Sequence, residues 1–114
     1  MSHHRECAIA LLNKLGIPIP KDPMFIYCAP HGLGRFDLSG MWDIDVWHPE
    51  IGKNFKIAAS AHGDKSGSIK HHDLTNPEKY MPDPCFSYWL VTWKIRKHKL
   101  VFRYYKLPSL EELP

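Results

Sequence analysis

Four carboxylate side chains lie between residues 37 and 50, and cationic side chains are concentrated near the end of the chain. The four acids are Asp37, Asp43, Asp45 and Glu50. Asp43 and Asp45 are two residues apart in a segment that alternates like a β-strand, so their carboxylates are expected to point the same way and bind one cation. The segment 94–106 contains six Lys or Arg, one His and no acid. This division is typical of a phosphate-binding surface beside a metal-binding one, although solvated strand faces would give the same pattern.

The basic segment also contains aromatic residues, a combination that suits nucleic acid because cations contact phosphates and aromatic rings stack on bases. The sequence predicts phosphate contacts from Lys94, Arg96, Lys99 and Arg103. Further contacts are predicted from Lys65, Lys70 and His71 in the preceding polar segment. Among the neighbouring residues, Trp89, Val91, Trp93 and Ile95 are expected to lie mostly in the core, whereas some of Tyr88, Arg103 and Tyr105 are expected to remain available to a partner.

Helices and strands must position these residues, and the hydrophobic pattern predicts where they lie. Residues 3–15 have one apolar helical face, and Gly16 followed by Pro18 marks the end of a helix. Strands are predicted at 24–28, 41–48, 55–61, 85–95 and 100–107, the last two forming a hairpin. Residues 62–84 are predicted to be a long polar loop with a short helix at 69–74, and Ser109–Glu112 to form one helical turn.

The length and composition bound the fold. A chain of 114 residues with 44% hydrophobic residues fits one small globular domain. The order of elements predicts an α/β fold, with α+β as the alternative, built on a mixed β-sheet flanked by the N-terminal helix. The three cysteines are widely spaced, no apolar run is long enough for a membrane span, and the first residues do not resemble a signal peptide. We therefore expect a cytoplasmic protein with reduced thiols and no membrane contact.

Four features together carry a family resemblance. They are the N-terminal helix with Glu6, the turn 34–38 with Asp37, the strand segment 55–61 about twenty residues later, and the Ser-rich loop that leads into residues 69–74. Over residues 3 to about 106 the chain resembles the VRR-NUC and Holliday-junction-resolvase branch of the PD-(D/E)xK nucleases. The resemblance implies a restriction-endonuclease-like fold and Mg²⁺-dependent phosphodiester hydrolysis, with Mn²⁺ as an alternative cofactor. It also implies DNA as the partner, branched or single-stranded, and a homodimer as one assembly.

The resemblance also implies roles for individual residues. Asp37 matches the metal-binding Asp of the family, and Glu6 matches its helical Glu, while Asp45 is a further candidate metal ligand. The Glu-x-Lys positions of the family are occupied by Ala58 and Ser60. Alanine supplies no oxygen and serine no positive charge, so the expected nuclease is impaired or inactive. Asp43, Asp45 and Asp64 are the residues that would supply displaced ligands in an intact enzyme.

Other functions fit the same residues. Cys28 and His31 have the spacing of a zinc ligand pair, and a Cys–His nucleophile pair is a further alternative. A small phage- or mobile-element-type inhibitor or adaptor that binds another protein is the main competing hypothesis. It would use Trp, Tyr and Arg as interface anchors and would need no catalytic residues.

Overall fold

The computed structural model describes residues 3–22, 26–28, 42–63, 65–80 and 82–114. Its helices are α1 (His4–Lys14) and α2 (Ser66–His72), with 3-10 turns at Ala61–Gly63 and Pro77–Lys79. Its strands are β1 (Ile26–Cys28), β2 (Ile44–His48), β3 (Lys53–Ser60), β4 (Phe86–Arg96), β5 (Lys99–Lys106) and β6 (Glu111–Glu112). None of the helices within these ranges is long and apolar enough to cross a membrane.

The strands form one mixed sheet in the order β1 to β6. Neighbouring strands are antiparallel except β3 and β4, which are parallel. A parallel pair requires a crossover connection, and residues 61–85 provide it with the two 3-10 turns and α2. The predicted single α/β domain, with a mixed sheet flanked by the N-terminal helix, is therefore confirmed.

Helix α1 ends where the sequence predicts. The amide of Gly16 donates to the carbonyl of Asn13, and the amide of Ile17 donates to the carbonyl of Leu12. Gly16 has a φ of 72°, which glycine adopts without the steric cost that a side chain would bring. Beyond this Schellman motif, buried His48 donates from Nε2 to the carbonyl of Pro18 at 2.8 Å. This bond ties the Pro-rich connector to β2.

Each face of the sheet buries its own apolar cluster. On the face covered by α1, called the α1 face, Leu11 and Leu12 pack among strand residues such as Ile57 and Val91. On the opposite face, called the α2 face, Leu74 packs with Ala58, Leu90 and Tyr105, beside Ile69 of α2. The strict alternation of side chains along β3 and β4 decides which residue lies on which face.

Three details differ from the sequence-based predictions. The segment 62–84 is not mostly loop, because α2 and two 3-10 turns lie within it, and buried Leu74 anchors it to the sheet. The segment 109–112 is not helical: Glu111 and Glu112 pair with Lys106 and Tyr105 as strand β6. Those interstrand hydrogen bonds extend the sheet, whereas one isolated helical turn would gain little.

The hairpin between β4 and β5 is tighter than predicted. Its turn consists of Lys97 and His98 alone, both with positive φ (52° and 63°). Two consecutive positive φ values define the type I′ turn, whose twist matches that of a two-residue hairpin. Because the turn is short, β4 continues to Arg96 and β5 begins at Lys99, and the cations around the turn therefore belong to the strands.

Candidate nucleic-acid interface

The carboxylate at the centre of the predicted metal site, Asp37, lies outside the described residues, as does the whole turn 34–38. Asp64 and His31 also lie outside them. The metal-binding role of Asp37 therefore stays a prediction. Of the remaining predicted residues, Glu6 belongs to an acidic region on the α1 face, and the predicted phosphate-binding cations lie on the α2 side.

Glu6 does not share a site with Ala58 and Ser60. Glu6 is exposed on α1, which covers the α1 face. Ile57 of β3 packs against α1, so the next residue, Ala58, faces the other side of the sheet. There Ala58 is 1% exposed and packs with Leu74. Ala58 and Ser60 therefore lie on the α2 face and do not complete a ligand set with Glu6.

Asp43, just before β2, is the acid that lies beside β3. Its Oδ2 accepts a hydrogen bond from the amide of Ala59 at 2.7 Å. The charges of both Glu6 and Asp43 act on the thiols of Cys7 and Cys28, so these four residues form one region at the α1 face. Within this region the neighbouring β3 residue, Ala59, supplies only its backbone.

The two thiols of this region are held protonated. Burial raises the pKa of Cys7 to about 12, with smaller contributions from the neighbouring Glu6 and Asp43 charges. Burial also raises the pKa of Cys28, against an opposing effect of Arg5. A thiol with a raised pKa is a poor nucleophile and a poor metal ligand near neutral pH. The raised pKa of Cys28 therefore argues against Cys28 as a zinc ligand and as the nucleophile of a Cys–His pair.

Both carboxylate oxygens of Asp45 interact with side chains of β3, the partner strand of its hairpin. One carboxylate oxygen accepts a hydrogen bond from Nδ2 of Asn54, and the other lies 3.0 Å from Nζ of Lys56. Asp45 and Asp43 therefore have separate partners and do not form the predicted pair of ligands, because Asp43 precedes the regular strand alternation. No group of three or more His, Cys, Asp or Glu placed to bind a metal occurs in the described ranges.

The basic residues of the β4–β5 hairpin are concentrated on one face. Arg96 pairs directly with Lys99, and Thr92 with Arg103, while Lys94 lies between Thr92 and Arg96 on the same strand. Paired residues and residues two apart share a face. Lys94, Arg96, Lys99 and Arg103 therefore all lie on the α2 face, and we call these four residues the basic face. All four are exposed.

A cavity of about 60 Å³ lies at the inner end of the basic face. Its walls are formed by Gly63, Thr92, Lys94, Val101 and Arg103. Nε of Arg103 donates to Oε2 of Glu112 at 3.0 Å, which fixes the guanidinium beside the cavity. The structure thus brings together two of the predicted phosphate-binding cations around one opening.

The other predicted phosphate contacts have different surroundings. Nζ of Lys65 lies 4.6 Å from the ring centroid of Tyr105, a cation–π contact on the α2 face. Lys70 is exposed on α2, and the side chain of His71 lies outside what the structure describes. Lys65 and Lys70 thus belong to the α2 side of the sheet, the side of the basic face.

Of the two tyrosines expected near a partner, Tyr105 is 2% exposed and presents no ring to a base. Tyr88 is half-buried and stacks on Trp42 beside the α2-face cluster. The expectation that Ile95 is buried is also wrong, because Ile95 lies beyond the end of β3 and is 62% exposed. Among the described residues, the most exposed Trp and Tyr side chains are those of Tyr27 and Trp47, at 49% and 45% exposure.

Sequence reasoning missed Thr92, Gly63 and Glu112 as parts of this region. The sequence signal for Thr92 is a single hydroxyl side chain in the otherwise apolar run 89–93. Its place beside Arg103 depends on the pairing of β4 with β5. Gly63 reaches the cavity through the crossover, Glu112 contacts Arg103 from β6, and neither contact has a local sequence signature.

Comparisons of the chain with protein-family models, with curated proteins and with solved structures found no match.

Proposed function

We propose that this domain binds the phosphate backbone of nucleic acid through the basic face and does not cleave it. The observation that carries this proposal is the placement of Lys94, Arg96, Lys99 and Arg103 on one exposed face of a single hairpin. Rows of Lys and Arg without intervening acids neutralise consecutive phosphates and release their counterions on binding.

The spacing of the cations favours a polymer of charges over a single small anion. Residues two apart on a strand are separated by about 6.6–6.8 Å, and neighbouring strands by about 4.8 Å. The hairpin therefore presents two rows of charge: Lys94 and Arg96, two residues apart, and Lys99 and Arg103, four residues apart and about 13 Å from each other. Both rows extend past the end of β3, at Ser60, where the sheet is narrower.

A relation to the PD-(D/E)xK nucleases is part of the proposal. It is supported by the α1 carboxylate of Glu6, by Asp43 just before β2, and by the hydrogen bond from the amide of Ala59 to Asp43. Hydrolysis is not proposed, because the β3 positions available to either face here are Ala58, Ala59 and Ser60. None of them supplies a carboxylate for a metal ion or an ammonium group to orient water.

The proposal is tested by fluorescence anisotropy at low salt with labelled single-stranded and duplex DNA. The double variant R96Q/K99Q removes two charges from the exposed end of the basic face. Its matched control, K14Q/K106Q, removes two charges from exposed residues away from that face. We expect wild type and the control to bind alike and R96Q/K99Q to bind at least tenfold more weakly. Equal weakening in both double variants would mean that only net charge matters and would refute the assignment of the interface.

The same samples test cleavage. Incubation with branched and linear DNA in Mg²⁺ or Mn²⁺ is expected to leave the DNA intact. Cleavage by wild type that is lost in Asp43→Asn would contradict the proposed lack of hydrolysis and would assign the acidic region on the α1 face to catalysis.

A protein-binding function is the second candidate, and one observation favours it. Tyr27 and Trp47 are half-exposed on adjacent strands at the β1–β2 side of the α2 face, and large exposed aromatic side chains are frequent interface anchors. Sedimentation velocity of wild type and Trp47→Gln tests the simplest such partner, a second copy of the chain. Dimerisation of wild type that is lost in the variant would support this candidate, and a monomeric wild type would remove the homodimer.

A further inference from the structure

The cavity beside the basic face has a polar floor in an otherwise apolar strand. Thr92 is 1% exposed, and its Oγ1 has no hydrogen-bond partner among the described residues. Thr92 faces the α2 side of the sheet, opposite Arg103, and forms part of the cavity wall. A buried hydroxyl without a partner is unfavourable, and native proteins usually pair such groups with water, an ion or a ligand.

Cationic groups surround this hydroxyl. Lys94 and Arg103 both line the cavity, and Arg103 uses Nε for Glu112, which leaves the Nη donors of its guanidinium for a ligand. Glu112 is the carboxylate that this guanidinium contacts. Gly63 closes the cavity on the side of the crossover, where a Cβ would lie 3.5 Å from Cδ of Lys94. A hydroxyl donor with two cations is a recurrent way to bind phosphate oxygens.

The size of the cavity selects among anions. A water-sized group needs roughly 10–15 Å³ of such space, so a cavity of about 60 Å³ has room for roughly four to six such groups. A phosphate group, with four oxygens around one phosphorus, fits in this space.

We propose that the cavity lined by Gly63, Thr92, Lys94 and Arg103 binds one phosphate group, with Thr92 Oγ1 as a buried donor. This inference rests on the proposed function, since it assigns one phosphate of the bound nucleic acid to a defined position. The other cations of the basic face then contact neighbouring phosphates. The phosphate is either an internal one of the backbone, a terminal one, or free phosphate.

The test is an NMR titration of the full chain with inorganic phosphate, observing the amides of Gly63 and Thr92 and the Nε–H signal of Arg103. Thr92→Val keeps the shape of the side chain and removes the hydroxyl. Exposed Thr75→Val is the matched control. We expect saturable shifts in wild type and the control, and at least tenfold weaker binding in Thr92→Val. Thermal unfolding of Thr92→Val should show no loss of stability, because the variant removes a buried unpaired hydroxyl.

A second variant reports on the charge of the cavity. Glu112→Gln removes the carboxylate next to Arg103 and should strengthen phosphate binding at least twofold. Phosphate binding of equal strength in wild type and Thr92→Val, or shifts confined to residues outside the cavity, would overturn the proposal.

Oligonucleotides separate the sources of the phosphate and the two proposals. Weaker binding of Thr92→Val to oligonucleotides with and without a 5′-phosphate assigns the cavity to a backbone phosphate, and an effect only with the 5′-phosphate assigns it to a chain end. Binding of inorganic phosphate without any oligonucleotide binding would leave the cavity assignment standing and refute the nucleic-acid function. Oligonucleotide binding without any phosphate response at the cavity would refute the cavity assignment and leave the nucleic-acid function standing.

Discussion

The salt dependence of DNA binding counts the phosphates that the basic face contacts. Four cations lie on this face, so a duplex that lies along the hairpin contacts at most four phosphates through them. The slope of log K against log salt concentration is about −0.9 for each phosphate contacted, which gives a slope of about −3.6 for four contacts. Between 50 and 200 mM salt, binding by wild type should therefore weaken by about 150-fold.

Removing two contacts should halve this slope. In R96Q/K99Q the slope should be about −1.8, so that the same change of salt weakens binding by only about 12-fold. The control K14Q/K106Q has the same net charge as R96Q/K99Q but keeps the four cations of the basic face. Its slope should stay near that of wild type.

Anisotropy titrations with one labelled duplex at four salt concentrations measure all three slopes. The comparison separates a defined interface from general attraction between a basic protein and DNA. If the two double variants have the same slope, the count of contacts from the hairpin geometry is refuted, whatever the absolute affinities are.

Three further predictions concern stability and are measured by urea denaturation. Ala58→Glu should destabilise the fold by at least about 3 kcal/mol, because it places an unpaired carboxylate in the buried α2-face cluster. The control Ser60→Lys, at the half-buried end of β3, should destabilise it less. An unchanged urea midpoint for Ala58→Glu would contradict the assigned faces. Because burial raises the pKa of Cys7 from 9.0 to about 12, the stabilising effect of its bound proton is complete below pH 9 and is lost as pH rises towards 12. Between pH 8 and 10.5 wild type should lose about 2 kcal/mol more than Cys7→Ala, and equal losses would refute the burial of this thiol. A double-mutant cycle on Asp45 and Lys56 should give a coupling of about 1 kcal/mol that decreases with salt, and no coupling would show that the ion pair is absent in solution.

The hydrophobic pattern of the sequence was sufficient to predict most of the architecture. The helix at 3–15 and the hairpin of the last two long strands follow from local periodicity and turn residues, and both occur in the structure. Period-two alternation also predicts that Lys94 and Arg96 share a face. Lys99 and Arg103 lie on the same face only because of the pairing register of β4 and β5. The two-residue turn with positive φ at Lys97 and His98 fixes that register.

The candidate site was harder to predict, because it depends on which face of the sheet each strand presents to which helix. Ala58 and Glu6 belong to segments of the predicted nuclease motif, yet the packing of Ile57 against α1 puts them on opposite sides. Asp43 is separated from Asp45 because the strand begins only at Ile44. Which side of the sheet each of these residues faces depends on tertiary packing, and the local sequence does not predict it.

The position of the bound DNA is the central claim, and arginine side-chain NMR measures it most directly. The Nε–H signals of Arg96 and Arg103 report on the basic face, while that of Arg5 reports on exposed α1, on the other side of the sheet. On titration with a short duplex at low salt, we predict that the signals of Arg96 and Arg103 shift with the same dissociation constant and that the signal of Arg5 stays in place. A shift of Arg5 with unchanged Arg96 and Arg103 would contradict the account and place nucleic acid on the α1 side.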